Sequence, residues 1–317
     1  MRVVVLDDYQ QVALRLADWE RGLPDAEVVA WSDHVADPDE LVARLEGVDV
    51  VVAMRERTPF PRTVIDRLPA LRLLVTTGMR NAAIDLRAAS DAGIMVCGTE
   101  GSSSATAELA WGLLLALVRH IAGEDAGVRA GGWQTRVGTD LDGKTLGVVG
   151  LGRLGSRVAR YGLAFGMEVV AWSPHLTAER AAAAGARLAS KEELFEAADV
   201  VSIHLVLSEA TRGLVGEAEL RAMGPGSYLV NTSRGPIVEE PALLRALEEG
   251  WIAGAGLDVF DQEPLPRDHP LRRAPGCVLT PHLGYVTTAT YSIFYNQALE
   301  DIQGFLGGTP RRVLTPL

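Results

Sequence analysis

Residues 145–155 have the sequence Thr-Leu-Gly-Val-Val-Gly-Leu-Gly-Arg-Leu-Gly. The apolar half of this stretch predicts a strand that runs directly into Gly150, Gly152 and Gly155, and an amphipathic segment, 157–165, predicts a helix after them. The spacing G-x-G-x-x-G therefore lies between a strand and a helix. That context indicates a dinucleotide-binding βα unit.

Each glycine of the motif has its own physical role. Gly150 allows a sharp turn, Gly152 leaves room for a pyrophosphate beside the backbone, and Gly155 allows the helix to pack closely on its strand. The free N–H groups and positive dipole end of the helix then face the anion. A tight strand–helix turn without a ligand remains the alternative, because the chain has 33 glycines.

The residue expected to select the dinucleotide is unusual. About 20 residues after the glycines, an acid at the tip of the second strand normally binds the ribose hydroxyls of NAD. Here the predicted strand 168–172 ends at Ser173. A neutral serine neither holds the ribose as a carboxylate does nor repels the 2′-phosphate of NADP. Since residues 173–177 contain no arginine, we expect NAD(H) or NADP(H) with weak discrimination.

Length and charge limit the classes of function. A chain of 317 residues exceeds the usual size of a single core, so two domains are expected. The net charge of −11 argues against a nucleic-acid or anionic-membrane partner.

The longest apolar run, 109–118, is about half of a bilayer span and predicts a buried helix. Cys97 and Cys277 are far apart, so we predict no disulfide and no metal site, and a reducing cytoplasm.

Strand-like and helix-like segments alternate along the whole chain, which predicts an α/β fold with parallel sheets. The predicted strands before the motif are 3–6, 27–31, 48–54, 71–75 and 94–96, and the clearest helices are 38–45, 61–68 and 85–91. The predicted strands after it are 168–172, a short one near 187, 199–204, 227–231, 253–259 and 277–280. A polar stretch, 99–105, precedes a long apolar helix at 106–121, and we place the domain boundary there.

Three polar residues follow successive strands of the second half. Arg234, Glu263 and His282 each come just after a predicted strand, and ligands of open α/β sheets bind outside the carboxyl ends of the strands. A histidine can exchange the hydroxyl proton during hydride transfer, and a carboxylate beside it favours its protonated form and fixes its tautomer. An arginine pairs bidentately with a carboxylate. The trio therefore predicts chemistry on a 2-oxo acid.

Each of these residues also has a structural alternative. His282 could be a satisfied surface or core histidine, Glu263 before a proline could only shape a turn, and Arg234 could only cap a strand end. Asp258 could bind the nicotinamide amide or cap the following turn. The turn after the fourth strand, around Gly78, could bind an anion or be a plain loop.

Four segments resemble the signature blocks of the D-isomer-specific 2-hydroxyacid dehydrogenases. They are Leu-Asp-Gly-Lys-Thr-Leu-Gly-Val-Val-Gly-Leu-Gly-Arg-Leu-Gly at 141–155, Asn-Thr-Ser-Arg-Gly at 231–235, Gly-Leu-Asp-Val-Phe at 256–260 with Glu-Pro-Leu at 263–265, and Thr-Pro-His-Leu-Gly at 280–284. Their order matches that of the family. The resemblance implies an oxidoreductase that transfers a hydride between a nicotinamide dinucleotide and a small 2-oxo or D-2-hydroxy acid, such as glyoxylate, hydroxypyruvate or a phosphoglycerate-like acid.

The resemblance also assigns roles to residues. It implies that His282 is the acid/base, Glu263 its partner and Arg234 the carboxylate anchor, with the backbone of Gly78 and Met79 as a second anchor. The predicted cofactor-binding residues are Gly150, Gly152, Arg153, Leu154, Gly155, Ser173, His204, Thr232 and Asp258.

The same resemblance implies the domain organisation. Residues 1–98 with 285–317 would form a substrate-binding lid domain, and 99–284 a dinucleotide-binding Rossmann domain, both doubly wound parallel sheets with the active site in the cleft between them. A homodimer built around helix 106–121 is also implied.

Three departures from the family pattern stand out. Ser173 replaces the usual acid, Val206 stands where a proline is usual, and 77–81 is a loose form of the usual Gly-x-Gly turn. A rival function is a dinucleotide-sensing, corepressor-like interaction protein, because such proteins share the fold and can keep the trio.

Overall fold

The computed structural model describes residues 1–102 and 104–315. The strands are β1 (Arg2–Val5), β2 (Glu27–Ala30), β3 (Val50–Ala53), β4 (Leu73–Thr76), β5 (Met95–Gly98), β6 (Thr145–Val149), β7 (Glu168–Trp172), β8 (Arg187–Leu188), β9 (Val200–Ile203), β10 (Tyr228–Asn231), β11 (Gly254–Leu257) and β12 (Cys277–Leu279). The helices are α1 (Ala13–Leu16), α2 (Trp19–Gly22), α3 (Pro38–Arg44), α4 (Arg62–Ile65), α5 (Leu86–Asp91), α6 (Ala105–Val118), α7 (Ile121–Arg129), α8 (Gly155–Ala164), α9 (Ala178–Ala183), α10 (Lys191–Ala197), α11 (Glu217–Met223), α12 (Glu240–Glu248) and α13 (Thr288–Leu306). Two short 3-10 helices span Gly235–Ile237 and Pro270–Arg272.

The chain divides into two compact units, which we call unit 1 and unit 2. Unit 1 consists of Met1–Ser102 and Thr287–Leu317, and unit 2 of Ser103–Val286. The boundaries predicted from the sequence, 98 and 285, lie a few residues before these positions. Each unit contains one parallel sheet with helices, so the predicted class, α/β with two doubly wound parallel sheets, is confirmed.

Unit 1 has a five-stranded sheet with the order β2-β1-β3-β4-β5. All positions of β3 and β4 are buried. Helices cover both faces of such a sheet, which explains why these strands are continuous apolar runs rather than alternating ones.

Unit 2 has a seven-stranded sheet with the order β12-β11-β10-β9-β6-β7-β8. Helix α6 lies very close to β11, because β11 contributes two glycines. A Cβ atom on Gly256 would lie 3.1 Å from Leu113 Cβ and 3.1 Å from Leu117 Cδ1. The close approach buries most of the apolar surface of α6 in the core of unit 2.

The predicted helix 106–121 is shorter in the structure and is followed by a second helix that the sequence did not indicate. His120 adopts a left-handed conformation with φ of 54°, which breaks the helix between α6 and α7. Among residues 1–102 and 104–315 no single helix has the length and hydropathy of a membrane span. The pair α6 and α7, bent by 62°, meets that test only by combined length and composition.

The C-terminal segment of unit 1 is tied to the sheet by a backbone hydrogen bond and to α13 by the side chain of one arginine. Leu314 N donates to Val96 O (2.7 Å), which adds the segment to the edge of β5. Arg312 Nε donates to Asp301 Oδ1 (3.0 Å), and its Nη2 donates to Glu300 Oε2 (2.9 Å). Asp301 is fully buried, and burial raises its pKa to about 6 despite the opposing guanidinium.

We expect Arg312→Ala to destabilise the protein by about 2 to 4 kcal/mol, because it leaves the buried Asp301 carboxylate without its cation. The free energy of unfolding in urea measures the effect. Arg311→Ala is the matched control, since Arg311 is mostly exposed and its contact with Glu300 is 3.8 Å long. Equal stability of the two variants would show that the Asp301 pair does not hold the segment.

Candidate active site

The three polar residues predicted from the strand ends lie at one edge of the unit 2 sheet. Arg234 follows β10, Glu263 follows β11 and His282 follows β12, and these strands are parallel neighbours. Their carboxyl ends therefore point the same way. Gly78 and Met79 belong to unit 1.

His282 and Glu263 form a direct pair. His282 Nδ1 lies 2.6 Å from Glu263 Oε2, and the other carboxylate oxygen, Oε1, accepts from Phe260 N at 2.9 Å. An ionised carboxylate only accepts hydrogen bonds, so Nδ1 carries the hydrogen and Nε2 is left to exchange a proton with a ligand. Both side chains are partly exposed, at 19% and 30%.

Asp258 fixes the turn that carries the histidine. Its Oδ1 accepts from Thr280 Oγ1 (2.6 Å) and Leu283 N (2.7 Å), and its Oδ2 accepts from Gly284 N (2.8 Å). His282 lies inside this turn with a left-handed φ of 55°. Burial raises the pKa of Asp258, while these donors and His282 oppose the shift. Asp258 therefore caps the turn after β12, and not the turn that directly follows it in the sequence. Its contact with the nicotinamide stays a prediction.

Tyr285 is a residue that the sequence argument missed. Its ring meets the His282 ring edge to face, with centroids 5.4 Å apart and planes at 67°. Such a contact restricts the rotation of the imidazole. The available signal was an aromatic residue three positions after the candidate histidine.

Arg234 emerges from a rigid turn. Asn231 Nδ2 donates to Arg234 O (2.9 Å), and Arg234 Nη1 donates to Ser233 O (2.7 Å). The next residue, Gly235, packs so closely on the turn after β11 that a Cβ atom there would lie 2.1 Å from the Phe260 carbonyl carbon. The turns after β10 and β11 are thereby held together, and the partly buried arginine side chain starts from a fixed position.

The glycine motif joins β6 to α8 as predicted, and its three glycines differ in their surroundings. A Cβ atom on Gly155 would lie 2.1 Å from Gly150 O, so the helix start needs a glycine. Gly150 has φ of +100°, and a Cβ atom there would lie 2.9 Å from the carbonyl carbon of His204. A Cβ atom on Gly152 would meet nothing within 4 Å. The chain therefore needs Gly150 and Gly155, whereas Gly152 leaves open space at the turn.

At the carboxyl ends of the neighbouring strands β9 and β10, two polar atoms are buried without a hydrogen-bond partner in the described parts of the chain. They are His204 Nδ1, after β9, and Thr232 Oγ1, after β10. The other imidazole nitrogen of His204, Nε2, lies 2.8 Å from Ser202 Oγ. Burial lowers the pKa of His204 to about 4, so the ring is neutral at physiological pH. Neutral polar atoms and an open glycine fit a dinucleotide at these strand ends.

The remaining predicted cofactor residues lie at the same edge. Arg153 is exposed in the glycine turn, and Leu154 immediately precedes α8. Ser173 is half-buried directly after β7.

No group of three or more His, Cys, Asp or Glu side chains in residues 1–102 and 104–315 is placed to bind a metal ion.

The predicted anchor in unit 1 is more crowded than the sequence indicated. Gly78 N donates to Thr99 Oγ1 (3.0 Å), so this amide is already engaged. Arg55 packs on the same glycine, because a Cβ atom there would lie 2.0 Å from Arg55 Nη1. The anchor at Gly78 and Met79 stays a prediction. Arg55 is a neighbouring cation that the sequence argument did not include.

The different surroundings of Gly155 and Gly152 give a test of dinucleotide binding at the glycine turn, which we call the dinucleotide cradle. We expect Gly155→Ala to destabilise unit 2, because its Cβ would collide with backbone. Gly152→Ala should keep the melting temperature within about 2 °C, because its Cβ meets no protein atom, and should weaken dinucleotide binding at least tenfold. Thermal melts and fluorescence titration with NADH and NADPH measure the two effects. Unchanged dinucleotide affinity in Gly152→Ala would mean that the ligand does not approach this glycine.

Comparison with known proteins identifies the family. A family model described as D-isomer specific 2-hydroxyacid dehydrogenase, NAD binding domain, matches residues 111–284. Glyoxylate reductase of Aeropyrum pernix is 41% identical over 77% of this chain and 76% of its own. D-3-phosphoglycerate dehydrogenase of Bacillus subtilis is 36% identical over 87% of this chain, but the match spans only 52% of that longer protein.

Solved structures agree in fold over nearly the whole chain. Phosphoglycerate oxidoreductase of Vibrio cholerae has a TM-score of 0.92 and 37% identity, covering 97% of this chain and 99% of its own. D-lactate dehydrogenase of Aquifex aeolicus, complexed with NAD and lactic acid, has a TM-score of 0.80 and 26% identity, covering 97% and 96%. The predicted enzyme class and nicotinamide cofactor are thus confirmed. The chain belongs to the D-isomer-specific 2-hydroxyacid dehydrogenase family.

Proposed function

We propose that this chain reduces a small 2-oxo acid, or oxidises the D-2-hydroxy acid, with His282 as the acid/base. The candidate substrates are glyoxylate, hydroxypyruvate and phosphoglycerate-like acids. The observation that carries the proposal is the 2.6 Å contact between His282 Nδ1 and Glu263 Oε2, in a turn that Asp258 holds in place.

His282 handles the proton of the reaction. During reduction the carbonyl oxygen of the substrate becomes a hydroxyl, and Nε2 of the imidazolium donates the proton that this oxygen gains. The Glu263 carboxylate stabilises the charged ring and keeps Nε2 directed at the ligand. In the reverse direction the neutral ring accepts the same proton.

Arg234 is proposed to bind the substrate carboxylate. Its guanidinium is planar and can form two parallel hydrogen bonds with a carboxylate, which orients the 2-oxo group as well as binding it. The packed turn of Gly235 supports this role, because it fixes where the side chain starts.

The bound nicotinamide dinucleotide supplies or accepts the hydride. Gly152, Arg153 and Leu154 would hold the pyrophosphate at the start of α8, and His204 and Thr232 would contact the cofactor with their buried polar atoms. These contacts would orient the cofactor and exclude water from the strand ends.

We also propose that the enzyme is a cytoplasmic homodimer. Four large apolar side chains are exposed in one segment of unit 2, from α7 to the loop before β6: Ile121, Val128, Trp133 and Val137. Trp133 and Val137 are 76% and 93% exposed, and a second copy of the chain would bury them. Both cysteines are free thiols, which is consistent with a reducing compartment.

We expect His282→Ala to lower kcat about a hundredfold or more, the scale of a lost general acid, with unchanged dinucleotide affinity by fluorescence titration. Reduction of glyoxylate and hydroxypyruvate with NADH and NADPH measures the activity. His269→Asn is the matched control, because His269 also pairs with a carboxylate, Glu240, at 3.0 Å, away from the β12 turn. Retention of more than about a third of kcat in His282→Ala would contradict the assigned role.

A double variant, Trp133→Ser with Val137→Ser, should shift the protein from dimer to monomer, because it removes the exposed apolar surface that a partner would cover. Light scattering coupled to size exclusion measures the mass. Leu306→Ser, which changes a half-exposed leucine at the end of α13, should leave the mass unchanged. A monomeric wild-type protein would overturn the dimer proposal.

A further inference from the structure

The loop after β7 lies directly beside the glycine turn. Gly150 N donates to Trp172 O at 2.8 Å, and Val149 pairs with Trp172 in the sheet. Ser173, the next residue, is therefore adjacent to the turn that would hold the pyrophosphate. In a Rossmann unit this is where the adenosine ribose lies.

Arg180 folds back onto that loop. The loop turns at Ser173, whose carbonyl accepts from Leu176 N (3.1 Å). Thr177 then caps α9 by accepting from Arg180 N (3.3 Å). This places Arg180 in the first turn of the helix, and its Nη1 donates to His175 O at 3.3 Å. The guanidinium thus lies over the loop, although Arg180 is seven positions away from Ser173 in the sequence.

The charges around the loop favour an anion. A guanidinium has five N–H donors, and in the described parts of the chain Arg180 uses one of these side-chain donors, with His175 O. Residues 173–180 contain one carboxylate, Glu179, and hydrogen bonds from its own backbone N–H and the Thr177 hydroxyl lower its pKa and hold it at the helix start. Arg153 adds a second exposed cation in the glycine turn.

We propose that Arg180 binds the 2′-phosphate of NADP(H) and makes NADP(H) the preferred cofactor. This inference rests on the dinucleotide cradle of the proposed function. A guanidinium forms charge-assisted, bidentate bonds with a phosphate and gains nothing comparable from a ribose hydroxyl. Ser173 contributes in two ways. It lacks the negative charge with which an acid at this position would repel the 2′-phosphate, and its hydroxyl can donate a hydrogen bond to that phosphate. The weak discrimination expected from the sequence rested on the absence of arginine from residues 173–177, and Arg180 lies outside that range.

Binding measurements test this without turnover. We expect isothermal titration to give a Kd for NADPH at least tenfold below that for NADH, and adenosine 2′,5′-bisphosphate to bind more tightly than 5′-AMP. Arg180→Gln should weaken NADPH binding about tenfold or more, the scale of a lost charge-assisted bond, and change NADH binding less than about twofold. Ser173→Asp should reverse the preference.

Arg273→Gln is the matched control, because Arg273 is an exposed arginine of unit 2 that precedes β12 and so lies toward the amino end of the sheet. It makes the same change in net charge and should leave both dissociation constants unchanged. NADPH binding by the wild type should also weaken with added KCl more than NADH binding does.

Three results would overturn the inference: NADH binding as tight as NADPH, no effect of Arg180→Gln, or equal weakening of both dinucleotides by it. If NADH nevertheless binds and supports reduction of a 2-oxo acid, only the role of Arg180 fails. If neither dinucleotide binds the wild type, the proposed function fails with it.

Discussion

The hydrogen bonds of the buried Asp258 carboxylate are the constraint on which the position of His282, after the last strand of unit 2, depends. They join the end of β11 to the turn after β12 and hold His282 in a left-handed conformation. Residues in such conformations persist where the surroundings over-determine them. Burying this carboxylate costs free energy unless it is hydrogen-bonded. The three donors that satisfy it therefore stabilise the turn in which His282 is strained. The short contact of His282 with Glu263 follows from this placement.

The turns after β6 and β10 depend on a different constraint, the close approach of backbone to backbone. Gly155 lies against Gly150 O, and Gly235 lies against the Phe260 carbonyl, so a side chain at either position would separate elements that carry site residues. Because the contacts are between main-chain atoms, repacking of side chains cannot relieve them. The open surroundings of Gly152 distinguish a glycine kept for a ligand from glycines kept for the fold.

Much of the architecture was predictable from local pattern. Apolar runs between helix-like segments indicated the two parallel sheets, and the glycine motif between β6 and α8 indicated the ligand edge. The break at His120 was not predictable, because the apolar pattern continues across it and a left-handed histidine has no sequence signal of its own. Tyr285 was missed for a similar reason, since its contact with His282 depends on the path of a turn.

The sequence by itself determined the fold class, the family and the strand ends at which Arg234, Glu263 and His282 occur, since these depend on periodicity and on residue order. Only the tertiary structure decided which atoms meet. Thr99 occupies the amide of Gly78, Asp258 caps the His282 turn, and Arg180 returns to the loop after Ser173. The Arg180 contact, with His175 O, spans five residues and depends on the turn that leads into α9. The other two contacts join groups 21 and 25 residues apart, and their geometry is set by sheet order and turn conformation, which no local pattern encodes.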